Sequence, residues 1–169
     1  MSVDYGLITE STDTTVVGGA TDDNSKFFRN IRIALEAQFK TMADDASITT
    51  RVFENIDFDF TSLEKSNLTN EFVRGTILPG DTLSAGVGTT GRDLHQGIFQ
   101  IDYYNRVGIG AYSDKIDSIA NAFKKGHKLV VNDTTVNVRN VSLGVGRRDG
   151  AFFVRNIDVS YFAVTTARS

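Results

Sequence analysis

Hydrophobic positions recur at two different periods along this chain, and the switches between them mark out its elements. From Ser25 to Met42, the residues Phe28, Ile31, Leu35, Phe39 and Met42 fall at spacings of three and four, the period of one helix face. Arg29, Arg32, Glu36 and Lys40 fall largely elsewhere, so the stripe predicts a helix with Phe28, Ile31 and Leu35 in the core. Asp22, Asp23 and Asn24 precede it, offering an N-cap and negative charge at the positive end of the helix dipole. Ala111–Lys125 predicts a second helix, with Tyr112, Ile116, Ile119, Ala120 and Phe123 on one stripe. Asp114 near its start and Lys124 and Lys125 at its end match the dipole, and Gly126 is a natural stop.

Elsewhere the period is two. Leu94–Tyr104 is the clearest strand: Gly97, Phe99, Ile101 and Tyr103 share one face, and Gln96, Ile98, Gln100 and Asp102 share the other. This alternation predicts an antiparallel sheet with one wet face. Ile48–Phe53, the run Ile56, Phe58 and Phe60, and Phe72–Leu78 also read as strands, the last closed by a turn at Pro79-Gly80-Asp81. Thr82–Gly91 is a Gly/Thr-rich segment expected to form an exposed loop, and Arg106–Gly110 another loop. Lys128–Val131 and Thr135–Asn140 flank Asn132-Asp133 as a hairpin. Val141, Leu143 and Val145 continue on a shifted phase, which predicts a bulge near Asn140. Gly146–Gly150 reads as a turn before a last strand, Ala151–Val164, with Ile157, Val159, Tyr161 and Ala163 on one face.

These elements predict an α+β fold: a mainly antiparallel sheet with two helices packed on one face, plus a β-hairpin. Phe99, Ile101, Ile119, Phe123, Val159 and Tyr161 are the expected core. Residues 1–24 are rich in Thr, Asp, Gly and Ser, with the apolar pairs Leu7-Ile8 and Val16-Val17. Two readings stand for them: a flexible tail, or a long N-terminal arm that orders on a neighbouring subunit. Residues 25–169 then form a single α+β domain, a size that supports a sizeable core.

Composition removes several functions. With no cysteine in 169 residues, a disulfide framework, a thiol nucleophile and a thiolate metal site are excluded. A net charge of −3 argues against affinity driven by phosphate neutralisation. Met1–Gly6 shows no basic region followed by an apolar core, and no apolar run approaches membrane-spanning length, so neither a signal peptide nor a transmembrane helix is expected.

Candidate chemistry is sparse. Gly86-Val-Gly88-Thr-Thr-Gly91 matches the dinucleotide fingerprint in form, but a strand rather than a helix follows it, so the helix end that holds a pyrophosphate is missing. His95 and His127 lack ligand partners at metal spacing, and no Ser sits in a G-x-S-x-G turn. The expectation is therefore no enzyme, no cofactor and no metal. Arg147 and Arg148, in Gly146-Arg-Arg-Asp-Gly150, read either as solvated turn residues or as an interface anchor at a loop tip. The candidate protein-contact residues are Arg147, Arg148, Asp149, Gly86, Val87, Thr89, Thr90, Arg92, Leu7 and Ile8.

A resemblance sharpens this. Gly97-Ile-Phe-Gln-Ile-Asp-Tyr-Tyr104, the Gly108–Gly110 loop opening a helix at Ala111, Asp117–Phe123, Val136-Asn-Val138, Gly144-Val-Gly146-Arg-Arg-Asp-Gly150 and the strand through Tyr161 together resemble the bacteriophage tail terminator family, the minor-tail-protein-U-like tail completion proteins. The helix Ile31-Arg-Ile-Ala-Leu-Glu-Ala-Gln38 is similar to the N-terminal helix of that group. The resemblance spans about two-thirds of the chain; the extension before Ser25 and the loop around Gly86 depart from it. It implies a structural virion protein, assembled in the host bacterial cytoplasm, that forms a hexameric ring at the head-proximal end of the tail. Such a ring stops tube polymerisation and provides the surface for head–tail joining. The implied partners are further copies of the chain, the tail tube protein and a head-completion or neck protein, with genomic DNA passing through the lumen without sequence readout and no membrane. Two alternatives stand beside it: a head–tail connector of the same virion, and a small ligand-binding α+β domain.

Overall fold

The computed structural model describes residues 26–54, 70–84, 92–106 and 112–165. Elements run α1 (Phe27–Asp45), β1 (Arg51–Phe53), β2 (Glu71–Ser84), β3 (Asp93–Arg106), α2 (Tyr112–Ala122), β4 (Lys128–Val131), β5 (Thr134–Leu143), β6 (Arg147–Asp149) and β7 (Phe152–Val164). The strands form one sheet in the order β1-β2-β3-β7-β5-β4, with β6 extending the β5 side of β7. All pairings are antiparallel except β1 with β2. A parallel pair needs a long crossover, and the chain between Phe53 and Glu71 provides the length for it.

The period-two and period-3.6 stripes meet in a single core. Ile31, Leu35, Phe39 and Met42 of α1 and Ile116 and Ile119 of α2, followed by Phe123, pack on Phe99, Ile101, Tyr103, Val136, Val138, Val159 and Tyr161. Both helices thus lie on the same face of an α+β sheet, as the alternation predicts, and all six expected core residues are buried. Burying a side chain of this size is worth about 1.5–3 kcal/mol, so this face supplies most of the driving force. Gly75 and Gly97 on this face make room for rings: a Cβ would meet Phe99 at 2.8 Å in the first case and the Tyr161 hydroxyl at 2.6 Å in the second.

Buried polar groups tie the helices to the sheet. Asn30 of α1 donates to the Thr134 hydroxyl at 3.1 Å and accepts from Asn132 at 3.3 Å, clipping the β4–β5 hairpin to the helix. At the other end, the Tyr103 hydroxyl donates to Glu71 Oε2 at 2.6 Å and accepts from Asn105 Nδ2 at 3.1 Å. Lys115 of α2 lies 3.3 Å from Glu71 Oε1 and also donates to the carbonyl of Ala46. Burial, and then the bond to Glu71, push the Tyr103 hydroxyl well above its ordinary pKa.

Several expectations are corrected. Phe28 is not core: it is 60% exposed, and Phe27, one position earlier, takes the buried place. The Pro79-Gly80-Asp81 turn is instead a bulge inside one long strand, with the β2–β3 register shifting between Pro79 and Thr82, so Thr82–Ser84 is strand rather than loop. α2 ends at Ala122, before Lys124 and Lys125; the Ala122 carbonyl accepts from Gln38 Nε2 at 2.9 Å and faces His127 Nδ1 at 3.1 Å, so polar side chains replace the expected basic last turn. The first strand is shorter than Ile48–Phe53, because Ser47, at φ 56°, reverses the chain out of α1 and pairing begins only at Arg51. The expected wet face is wet along only part of its length, since Val52, Phe72, Tyr104, Phe152 and Val154 form a second buried cluster there, with Phe72 and Tyr104 stacked at 4.2 Å. The bulge in β5 lies where the phase shift places it, between Val138 and Asn140. The N-terminal arm, the 22–24 cap, the 56–60 strand, the 85–91 loop and residues 107–111 lie outside the described residues.

Candidate functional site

Beyond the second cluster, the face turned away from the helices carries a polar chain. Register places Asp102 of β3 directly opposite Asn156 of β7, so both side chains stand on the same face. Asn156 Nδ2 donates to Asp102 Oδ1 at 2.5 Å, and Gln100, two residues along β3, donates to the same oxygen at 3.1 Å. Asn156 Oδ1 then accepts from Arg147 Nη1 at 3.0 Å. The nearly buried Asp102 carboxylate is thereby hydrogen-bonded, as burial of a charge demands. The chain of bonds also fixes where the Arg147 guanidinium lies. Tyr104 sits among these charges; burial and then Asp102 raise its pKa, while Arg147 and Arg74 pull the other way. This arrangement holds one exposed guanidinium in place; no nucleophile–base pair is part of it.

Arg147, Arg148 and Asp149 do not form a loop tip. They are β6, paired with Val154, Phe153 and Phe152 of β7. Both arginines are exposed, and Arg148 Nε donates back to the Gly150 carbonyl at 3.3 Å. Gly150, at φ 58°, makes the turn into β7. Arg92 is exposed just ahead of β3. The Arg147 level of the sheet lies beside Tyr104, so at ~3.3 Å per residue Arg92 is roughly 40 Å away along β3. The structure therefore brings Arg147 together with Asn156 and, through it, Asp102, whereas Arg148, opposite Phe153, falls on the other face of the sheet and Arg92 lies far along β3. Gly86, Val87, Thr89, Thr90, Leu7 and Ile8 lie outside the described residues.

A second surface feature was not anticipated from the sequence. β2 runs well past β1, whose pairing stops at Gly75, and residues 78–84 are all exposed. Val73 donates its N–H to Thr50 on the β1 side, so Ile77, four residues on, points its N–H the same way; the Glu54 carboxylate accepts it at 2.7 Å. The next position in that series is Pro79, which has no N–H, and the bulge follows. Among the described residues no strand pairs with this stretch on the β1 side, and an added strand would meet a carboxylate, a proline and a bulge in succession. Beside it, Phe28, Ile31, Ile77, Pro79 and Tyr161 line a cavity of about 230 Å³, with Glu54 and Arg32 on its polar side. His95 closes one wall, with its ring 4.8 Å from Phe27 and 4.9 Å from Phe28 and its Nδ1 3.0 Å from the Thr82 hydroxyl. The doublet Phe27-Phe28, of which only Phe27 is buried in the core, is the signal that would have pointed here.

Among the described residues no group of three or more His, Asp or Glu stands close enough to hold a metal, and no helix is long and apolar enough to cross a membrane. β3 starts at Asp93, directly after the glycine segment, so a strand stands where the dinucleotide fingerprint needs a helix.

A solved structure 18% identical in sequence shares this fold: it superposes with a TM-score of 0.56 over 78% of this chain and 94% of its own. A search of curated proteins gives no match. The sequence pattern of the phage tail terminator proteins matches residues 30–161, from the first turn of α1 to the last third of β7. That match takes in the core, the polar chain, β6 and the β2 edge together, and so the chain belongs to the phage tail terminator protein family and is a structural protein of a bacteriophage tail.

Proposed function

We propose that this protein ends the tail tube: copies close into a six-fold ring on the head-proximal end, stop tube polymerisation, and present the surface to which the head-completion or neck protein joins. The observation that carries this reading is the family match over residues 30–161, which covers every strand that frames the open face. The architecture supports it. One face of the sheet is covered by the protein's own helices, whereas the other offers Ile98, Gln100, Asp158 and Ser160 to a neighbour. A head-to-tail contact between such surfaces closes into a ring when its rotation divides a full turn. The chain's net charge of −3 suits a lumen through which DNA slides without being gripped. Assembly then takes place in the host bacterial cytoplasm, and the ring remains in the virion.

In this reading Arg147 and Arg148 are contact residues, since exposed guanidinium groups pair bidentately with partner carboxylates. The test combines Arg147→Ala with Arg148→Ala. The double variant is expected to keep its thermal midpoint while giving overlong tubes, or tails that fail to join heads, in electron micrographs. Normal tails and full infectivity would remove β6 from the functional surface. A three-fold or five-fold ring in assembled tails would overturn the six-fold order.

A further inference from the structure

We propose that neighbouring copies join by a knob and a pocket: the Val145 turn of one subunit seats in the cavity beside Phe28 and Pro79 of the next. The inference rests on the ring reading above and assigns the surfaces that make the ring.

The knob is built by two glycines. Between β5 and β6 the chain passes Gly144, Val145 and Gly146. A Cβ on Gly144 would lie 3.1 Å from Asn156, and one on Gly146 would lie 2.5 Å from the Phe153 ring. The Gly144 N–H donates to the Asn156 carbonyl at 2.8 Å. The turn is therefore pressed flat against β7 on both sides of the valine. Val145 stands out from it at 88% exposure, the highest of any large apolar residue described, with Leu143 half exposed beside it. An apolar side chain held in water on so short and fixed a turn has no internal role.

The pocket lies elsewhere on the molecule. It opens between the start of α1 and the bulge of β2, with Phe28 at its mouth. β3 and β7 separate β2 from β5 and β6. Along the strands, Ala163 of β7 pairs with His95 at the pocket, whereas the knob is bonded at Asn156, about 23 Å lower at ~3.3 Å per residue. A turn that far from the pocket cannot reach it within one subunit, so the contact is heterologous, the kind that builds rings.

Charge favours the same pairing. Arg147, Arg148 and Arg155 surround the knob, with Asp149 as the local carboxylate. At the pocket Glu54 lies in the wall, Asp81 follows Gly80 on the rim, and the cation Arg32 is ion-paired with Glu36 at 2.6 Å. The β2 edge matters as well. It discourages the simplest alternative, in which a neighbour adds a strand to β2, and leaves side-chain insertion as the contact this edge accepts.

The chain has no cysteine, so cross-linking reads the contact directly. Phe28→Cys and Val145→Cys are placed together in one full-length chain, which is treated with a short bis-maleimide over a range of protein concentrations. A ladder of dimers, trimers and higher species is expected from the double variant and not from either single one. An equal mixture of the two single variants should give one heterodimer band and nothing larger, and this holds even if the double variant folds poorly. No ladder and no heterodimer, or Val145→Cys alone cross-linking as readily as the pair, would overturn the proposal. A ladder from a protein that does not limit tube length would keep the contact and sink the terminator reading. Normal tube capping without cross-links would sink the contact alone.

Discussion

The two faces of the sheet share every strand and differ in almost everything else. On β3, Phe99, Ile101 and Tyr103 are sealed beneath the helices, while Ile98, one residue away from Phe99, is 38% exposed on the other side. On β7, Ile157, Val159 and Tyr161 are buried, and Asp158 and Ser160 between them are not. The covered face behaves as a conventional core, with aromatic rings meeting edge-on, such as Phe39 and Phe99 at 5.7 Å. The uncovered face buries an apolar cluster only at the end where Phe72, Tyr104, Phe152 and Val154 meet, and next to it carries a polar chain leading to Arg147. A strand with period-two alternation thus supplies stability through one side and leaves the other partly open to solvent.

That division can be broken or sharpened by substitutions on each side. Phe123→Ala removes a fully buried ring that lies 5.8 Å from Phe99. It is expected to cost about 3–5 kcal/mol in chemical denaturation. An unchanged midpoint would mean that the helix face does not carry the stability. Gly97→Ala pushes a methyl group against the Tyr161 hydroxyl and the Leu78 carbonyl. The expected cost is about 1–3 kcal/mol, since one neighbour is backbone and cannot give way. A neutral result would show that Tyr161 can leave its place over β3.

Tyr103 makes the covered face sensitive to alkali. Its folded pKa is raised above the unfolded value, so the folded state keeps a proton that the unfolded state releases. The stabilisation from this residue is present in full below the unfolded pKa of about 10 and is lost as pH climbs through and beyond it. In a spectrophotometric titration Tyr103 should ionise only as the protein unfolds. Tyr103→Phe should cost about 0.5–1.5 kcal/mol at neutral pH and flatten the alkaline loss. The smallest effect belongs to the open face: Ile98→Ser should shift stability by no more than about 0.5 kcal/mol, measured by thermal melting. A large loss there would mean that this face is part of the subunit's own core.

The fold was legible because its signals are repeated. Ile31, Leu35 and Phe39 mark one helix face several times over, and Phe99, Ile101 and Tyr103 mark one strand face in the same way. Signals given once were misread. Pro79-Gly80 looks like a turn, yet the strand continues, because a proline and a glycine are tolerated at an edge where their missing N–H and side chain remove little. Phe28 fits the helical spacing as well as any residue, and only the position of His95 and the β2 bulge, both distant in sequence, decides that Phe27 turns inward instead. Of the candidate contact residues, Arg147–Asp149 read from the sequence as a turn, and their place on a strand was not legible. Pairing with Phe153 and the bond to Asn156 are tertiary facts. Glu54 carried no sequence signal at all, since its role is to occupy a backbone N–H on another strand.

The order of strands in space has a consequence for how the sheet holds together. β7, the last of the described strands in sequence, lies in the middle of the sheet, between β3 and β5. Its partner on β3 lies far back in the sequence: His95 pairs with Ala163, and Arg106 with Phe152. Without β7, the described strands β1–β3 and β5–β4 are two separate half-sheets. Such distant pairing makes folding slow. β7 is therefore the seam of the fold, and its loss would leave the two halves unjoined.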